Sequence, residues 1–189
     1  MKNAYDKVRA TTQRLVRLFL EDEARLGLHE SMTRRCLTAF GVKPLQPVLP
    51  RYKYYWLFGA VEPRTGESLF LEMPALDTAC FQAYLNEFSL AYPDSLNLLV
   101  IDGAPAHIAK DLKIPPNVLL VRLPPYSPEL NPMERVWQDL RKCLGSALPP
   151  DLDALKEHVA TVLRAYSNET LASITSYPYL RNIYSAQPV

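Results

Sequence analysis

The sequence predicts an α/β domain with a mixed five-stranded sheet, three antiparallel strands followed by βαβ units, flanked by helices. Three observations carry this expectation. An apolar run at Leu15 to Leu20 is followed by two strand-like runs, Tyr52 to Val61 and Ser68 to Met73, the second pair joined across the turn 62–67. Two short continuous apolar runs, 97–101 and 117–123, come later and have the composition of strands buried on both faces. Around them, apolar residues recur at helical spacing. Hairpin strands first and alternating strands and helices afterwards imply a mixed sheet covered by helices.

Taken in order, residues 2–13 read as a short, mostly polar helix. Leu15 to Leu20 is a buried strand that runs straight into Glu21-Asp22-Glu23. A long connection follows, rich in Arg, Lys and Pro, before the hairpin of the second and third strands. Asp77 resembles an N-cap, and Cys80, Phe81, Tyr84, Leu85 and Phe88 mark one face of a helix over 78–91. The fourth strand ends at Asp102-Gly103, and a short helix is expected within 105–112. The fifth strand is followed by a proline-rich turn over 124–132. Met133, Val136, Trp137, Leu140 and Leu144 then form a helical stripe, and a last amphipathic helix is expected over 151–166. The expected division is a helical lead-in at 1–14, the sheet-bearing domain at 15–147, and a helical extension of the same domain at 148–189.

Composition narrows the function. The 189 residues carry 21 Lys and Arg against 20 Asp and Glu, a net charge of +1 that argues against a nonspecific, strongly basic nucleic-acid binder. The balance is uneven along the chain. Residues 1–64 hold 12 basic and 6 acidic side chains, and residues 65–189 hold 9 and 14. A basic region beside an acidic one suits a protein that grips a polyanion and also holds metal ions. No window is long and apolar enough for a transmembrane helix, and the polar N-terminus is not a signal peptide, so a cytoplasmic protein without a membrane partner is expected. Cys36, Cys80 and Cys143 are odd in number and far apart, which fits reduced thiols better than disulfides or a zinc motif.

Three acids stand where buried strands end or a helix begins. Asp22 follows the first strand, Asp102 the fourth, and Glu134 opens the helix after the fifth. If the first and fourth strands are parallel neighbours, Asp22 and Asp102 reach the same edge, and a helix packed there brings Glu134 alongside. Clustered carboxylates repel unless cations neutralise them, and oxygen ligands of this kind suit Mg²⁺ or Mn²⁺. Two such ions can activate water and stabilise a leaving oxygen in phosphodiester cleavage. Alternation along the first strand puts Asp22 on the face of Leu18 and Leu20, and Glu21 and Glu23 on the other. Each acid also has a plain structural reading: a solvated strand end for Asp22, a turn for Asp102-Gly103, and for Glu134 the N3 position of a capping box started by Asn131 and Pro132.

The words around these acids are specific. Leu99-Val100-Ile101-Asp102-Gly103-Ala104-Pro105-Ala106-His107 and Leu123-Pro124-Pro125-Tyr126-Ser127-Pro128-Glu129-Leu130-Asn131-Pro132-Met133-Glu134-Arg135-Val136-Trp137, with Leu20-Glu21-Asp22-Glu23, closely resemble the DDE-type transposases of bacterial insertion sequences in the mariner superfamily. The resemblance covers roughly residues 15–145. It implies an RNase H-like fold, catalytic and metal-binding roles for Asp22, Asp102 and Glu134, two Mg²⁺ or Mn²⁺ ions, and cleavage of transposon ends followed by strand transfer into target DNA. It also implies double-stranded DNA as partner, a homodimer when active, and a cytoplasmic, nucleoid-associated location. Family members carry helix-turn-helix modules ahead of this domain. This chain starts almost at the first strand, so a separate DNA-binding chain is the matching expectation. Arg34, Arg35, Lys43, Arg51 and Lys53 are candidate phosphate contacts, and His107 a candidate DNA contact or aid to the metal site. The alternatives are another RNase H-like nuclease, which the Pro-Tyr-Ser-Pro-Glu-Leu-Asn-Pro run disfavours, and a non-catalytic DNA-binding protein derived from a transposase.

Overall fold

A computed structural model describes residues 1–28, 53–124, 130–145 and 149–184. The strands are β1 (Leu15–Gly27), β2 (Tyr54–Val61), β3 (Ser68–Met73), β4 (Ser95–Ile101) and β5 (Val118–Arg122). The helices are α1 (Lys2–Thr11), α2 (Thr78–Ala91), α3 (Met133–Leu144), α4 (Leu152–Ala165), α5 (Asn168–Thr175) and α6 (Pro178–Tyr184), with a short 3-10 turn at Pro105–Ile108 between β4 and β5. The sheet has the order β3-β2-β1-β4-β5. β1 to β3 form the antiparallel meander, while β4 runs parallel to β1 and β5 parallel to β4.

β1 differs from expectation. The acidic run is not its end, because the strand continues to Gly27. The reason lies in its two neighbours. β4 pairs with the first half, Leu15 to Leu20, and β2 with the second half, Leu20 to Gly27, so the acids have ladder partners despite their charge. Beyond Leu20 the β4 side of β1 is therefore unpaired by strand. That opening sits at the carboxyl end of the parallel β1/β4 pair, the usual place for a site in such sheets.

The alternation of β1 divides the core in two. Val16, Leu18 and Leu20 face one side with Leu98 and Val100, and are covered by Val136, Trp137, Leu140 and Leu144 of α3 and by Leu155 and Val159 of α4. Phe19, Leu99 and Ile101 face the other side, beneath Phe81, Tyr84, Leu85 and Phe88 of α2. Each fully buried side chain of this size stabilises the fold by about 1.5–3 kcal/mol relative to exposure. The helix starts follow their caps. Asp77 accepts from the Cys80 amide at 2.8 Å, Asp151 from Ala154 at 2.8 Å and Ser167 from Thr170 at 3.2 Å. In the β2–β3 turn, Gly66 has φ +75°, and a Cβ there would lie 1.7 Å from the carbonyl oxygen of Asn168, so glycine seats the turn against α5. Among the described residues, no helix is long and apolar enough to cross a membrane.

Candidate active site

Asp22 projects from the middle of β1 toward α3, as the alternation predicts. Its carboxylate accepts a hydrogen bond of 2.8 Å from the indole Nε1 of Trp137. Its strand partner is Gly59, and this glycine has a steric reason. A Cβ at position 59 would lie 2.6 Å from Cη2 of Trp137 and 2.7 Å from Phe70, so only a bare backbone lets the indole lie against the sheet. Burial raises Asp22 to about 7. The Trp137 bond opposes that rise, and the charges of Glu23 and Glu134 add to it.

Asp102 is the first residue past β4. The parallel register pairs Leu20 with Val100, and two steps further on each chain stand Asp22 and Asp102. Its side chain is about half exposed, and Oδ1 accepts from the Ala104 amide at 2.8 Å, which fixes the chain as it leaves the strand. Glu134 is the second residue of α3 and is exposed. It lies three residues before Trp137, hence on a neighbouring face of the same helix. The start of α3 corrects the expected capping box. The amide of Met133 is capped by Oδ1 of Asn131 at 3.2 Å, while Nδ2 of Asn131 donates to the backbone carbonyl of Glu21 at 2.8 Å. Asn131 thus ties the helix that carries Glu134 to the strand that carries Asp22, and Glu134 is left free of the N3 position.

On the opposite face of β1 lies an arrangement that spacing along the chain did not reveal. His107, in the 3-10 turn, is fully buried against Phe81, with ring centroids 4.2 Å apart. Its Nε2 is 2.7 Å from Oε1 of Glu23, and its Nδ1 is 2.9 Å from Oδ1 of Asp102. Burial pushes the imidazole down, but Glu23 and then Asp102 outweigh it and hold it above its ordinary value. The His107 side chain has no exposed surface, and its ring lies between Glu23 on β1 and Asp102 at the end of β4. Glu21 is wholly buried beside this group, and burial first, then Glu23, Asp22 and Asp102, push its carboxyl well up. Among the described residues, the metal-ligating atoms gathered within 4.8 Å of one another belong to Glu21, Glu23 and His107, not to Asp22, Asp102 and Glu134.

Of the expected phosphate contacts, Lys53 is exposed just before β2, whereas Arg34, Arg35, Lys43 and Arg51 lie outside the described residues, as do Cys36 and Tyr126. Cys80 and Cys143 are free thiols. Sequence reasoning missed the roles of Trp137, Asn131, Gly59 and Glu23. Trp137 was legible only as one of a helical stripe, and the alternation of β1 was the one signal that set Glu23 apart from Asp22.

Comparisons with known proteins bear on the family and the fold. The pattern of the family described as DDE superfamily endonuclease matches residues 17–156, about three quarters of the chain. The uncharacterized protein y4pE/y4sA of Sinorhizobium fredii (strain NBRC 101917 / NGR234) is 40% identical over 105 residues, 54% of this chain and 78% of that protein. Among solved structures, the Mos1 mariner paired end complex with Mn superposes with a TM-score of 0.66 at 16% identity, covering 97% of this chain and 59% of that one. A chain of the simian T-cell lymphotropic virus intasome in complex with PP2A regulatory subunit B56 gamma superposes with a TM-score of 0.54 at 15% identity, covering 94% of this chain and 60% of that one. The chain thus spans a little over half the length of the Mos1 transposase chains it matches, and the shared fold is the RNase H-like mixed sheet with flanking helices. By the extent of the family match, the chain belongs to the DDE superfamily endonucleases.

Proposed function

We propose that this chain is the catalytic domain of a transposase, cutting DNA at the ends of a mobile element and joining the freed end to a target. The observation that supports the reading is the parallel register of β1 and β4, which sets Asp22 and Asp102 two residues beyond the paired Leu20 and Val100, with the charge of Glu134 at the start of α3 acting on Asp22. The donor set fits the family's metals. It is made only of carboxylate oxygens, and burial, with smaller additions from the charges of Glu23 and Glu134, makes the ionised form of Asp22 costly, a cost that a bound cation would offset. Asp22 and Asp102 would hold one Mg²⁺ or Mn²⁺ ion, and Asp22 with Glu134 a second. When bound, such ions supply charge neutralisation and Lewis acidity to a phosphodiester.

The chain itself supplies position. Trp137 holds the Asp22 carboxylate through its N–H, and the Ala104 amide holds Asp102, with the His107 imidazole 2.9 Å from the same oxygen. Asn131 ties the start of α3, the helix that carries Glu134, to β1. No side chain has to act as nucleophile. In cleavage, a water oxygen forms the new bond to phosphorus as the bond to the 3′ oxygen breaks, which leaves a 3′-hydroxyl and a 5′-phosphate. In strand transfer, that 3′-hydroxyl attacks a target phosphodiester and releases a target 3′-hydroxyl.

Double-stranded DNA is the proposed partner, and the excess of basic residues before residue 65 supports contact with its backbone through Arg34, Arg35, Lys43, Arg51 and Lys53. Recognition of specific ends is assigned to a separate DNA-binding module or chain, and the active form to a homodimer that pairs two ends. The test is Mn²⁺-dependent nicking of supercoiled plasmid by the purified chain beside Asp22→Asn, Asp102→Asn and Glu134→Gln. Nicking by the wild type that falls on the order of a thousandfold in the variants is the expected result. Nicking that survives all three substitutions, or a wild type that neither nicks nor binds Mn²⁺, overturns the reading.

A further inference from the structure

The geometry points to a second cation site, separate from the Asp22/Asp102/Glu134 set, in which Glu21, Glu23 and Nε2 of His107 bind one divalent ion of the zinc class on the α2 face of the sheet. Two independent observations meet here. The first is a compact donor set: one ligand atom from each of the three side chains lies within 4.8 Å of the others. The second is Glu21 itself. It has no solvent exposure, and neither of its carboxylate oxygens has a hydrogen-bond partner among the described residues. A wholly buried carboxyl group with nothing to accept from is costly and rare. A cation held jointly with Glu23 and His107 would satisfy both oxygens.

The chemistry of the donors selects the ion. Asp22, Asp102 and Glu134 offer oxygen alone, which suits Mg²⁺ or Mn²⁺. Here an imidazole joins two carboxylates, and nitrogen with oxygen donors at short range suits Zn²⁺. The present 2.7 Å contact between Nε2 and Glu23 would give way to both atoms facing the ion. Ligands about 2.0–2.2 Å from zinc in a tetrahedron stand roughly 3.4 Å apart, within reach of small side-chain rotations from the present group. On the other side of the ring, Nδ1 lies 2.9 Å from Oδ1 of Asp102 without hydrogen-bond geometry, so a slight turn of the ring toward an ion could bring it into line with the outer carboxylate that metal-bound histidines commonly have. An ion here would clamp the 3-10 turn after β4 onto β1, and so fix the backbone from which Asp102 projects.

The test separates this site from the proposed catalytic one by using no cleavage readout. The full chain carrying Asp22→Asn and Glu134→Gln, stripped with a chelator, is titrated with Zn²⁺ by calorimetry and with Co²⁺ by visible absorption. One equivalent of Zn²⁺ is expected, with the intense Co²⁺ bands of a low-coordinate nitrogen and oxygen site. Adding Glu21→Gln, which keeps the shape of the side chain, or His107→Gln should weaken Zn²⁺ at least about tenfold, and Asp102→Asn about tenfold through the imidazole. Melting curves without metal report whether each variant folds. If one does not, the ¹⁵N signals of the His107 ring in the parent answer the question, because Nε2 must shift on adding Zn²⁺. Absence of binding, affinity indifferent to Glu21→Gln, or an unmoved Nε2 overturns the proposal and leaves Glu21 as a buried neutral acid.

Discussion

Glu21, Asp22 and Glu23 are consecutive, yet β1 delivers them to two different environments. On the α3 face, Asp22 meets the indole N–H of Trp137, and the open end of the sheet where Glu134 lies. On the α2 face, Glu21 and Glu23 meet a buried imidazole and a wall of aromatic side chains. What looks like a solvated acidic run is split by the pleat into one acid turned to an opening and two turned to a core. The difference teaches that the neutralising partner decides the role. A carboxylate at an open edge can take up a mobile cation and a phosphate, whereas one in the core must be matched by a buried partner, as Glu23 is by His107, or stay protonated or bind an ion, as Glu21 must.

The largest expected effect tests that contrast directly. Asp22→Asn should lower Mn²⁺-dependent nicking on the order of a thousandfold, since phosphoryl transfer rests on charge placed at the reacting phosphate. Glu72→Gln is the comparison. That acid on β3 is partly exposed and pairs with Lys156 at 3.2 Å. Its loss should change nicking less than twofold and stability by no more than about 1 kcal/mol. Equal losses in the two variants would mean that general acidity of the sheet, not position on β1, matters.

Next in size is Gly59→Ala. The added methyl must displace the Trp137 ring or Phe70, both packed in the core, so destabilisation of about 1–3 kcal/mol is expected from chemical denaturation. Nicking should fall as well, because the displaced ring is the donor to Asp22. Normal nicking in a destabilised variant would separate the packing role of Trp137 from its role as a donor.

How much of this was legible depends on how far apart the partners lie in the chain. The faces of Leu18, Leu20 and Asp22 follow from alternation alone, and Asp102 at the end of a buried strand follows from the run that precedes it. The end of β1 did not follow. Three acids in a row read as a strand leaving the core, and only pairing with Leu57 to Val61 of β2 carries the strand through them. The partners of His107 were equally hidden, because Glu23 lies 84 residues away and no local pattern links the two. The capping box at Glu134 failed for a similar reason. Asn131 turns its amide to the Glu21 carbonyl, 110 residues distant, and this tertiary bond shifts the helix start by one residue.

The two faces also differ in the pH window over which they act. Asp22 is raised from 3.8 to about 7, so the folded protein holds its proton more tightly than the unfolded chain. Metal-free stability should therefore fall as pH rises from about 4 to about 7 through this group, then level. His107 is also raised, and its contribution is complete below its ordinary 6.5 and lost as pH climbs through the folded value. The two losses share a sign and follow one another. Mn²⁺ must displace the Asp22 proton below neutrality, so its affinity should rise up to about tenfold per pH unit and flatten above about 7. Trp137→Phe removes the bond that holds Asp22 down and should move that break upward, with the His107 window unmoved. A break that stays in place would mean that Trp137 does not set the acidity of Asp22.

The smallest effect sharpens the comparison most, because the Asn131 side chain ties the start of α3 to the backbone of the acidic run. Asn131→Ala loses the cap on Met133 and the bond to the Glu21 carbonyl, and should cost about 1–2 kcal/mol by urea unfolding. Asn131→Asp keeps an acceptor for the Met133 amide, but sets an oxygen against the carbonyl that the amide nitrogen now serves. It also adds negative charge beside Asp22 and Glu21. If the cap is what matters, Asp restores the stability lost in Ala. If the tie to β1 matters, Asp remains as unstable as Ala, and nicking falls several-fold in both because Glu134 is no longer held to the strand. The second outcome is expected, since a helix N-terminus can find another acceptor in water, but the Glu21 carbonyl, on a wholly buried residue, would lose the donor that α3 now supplies.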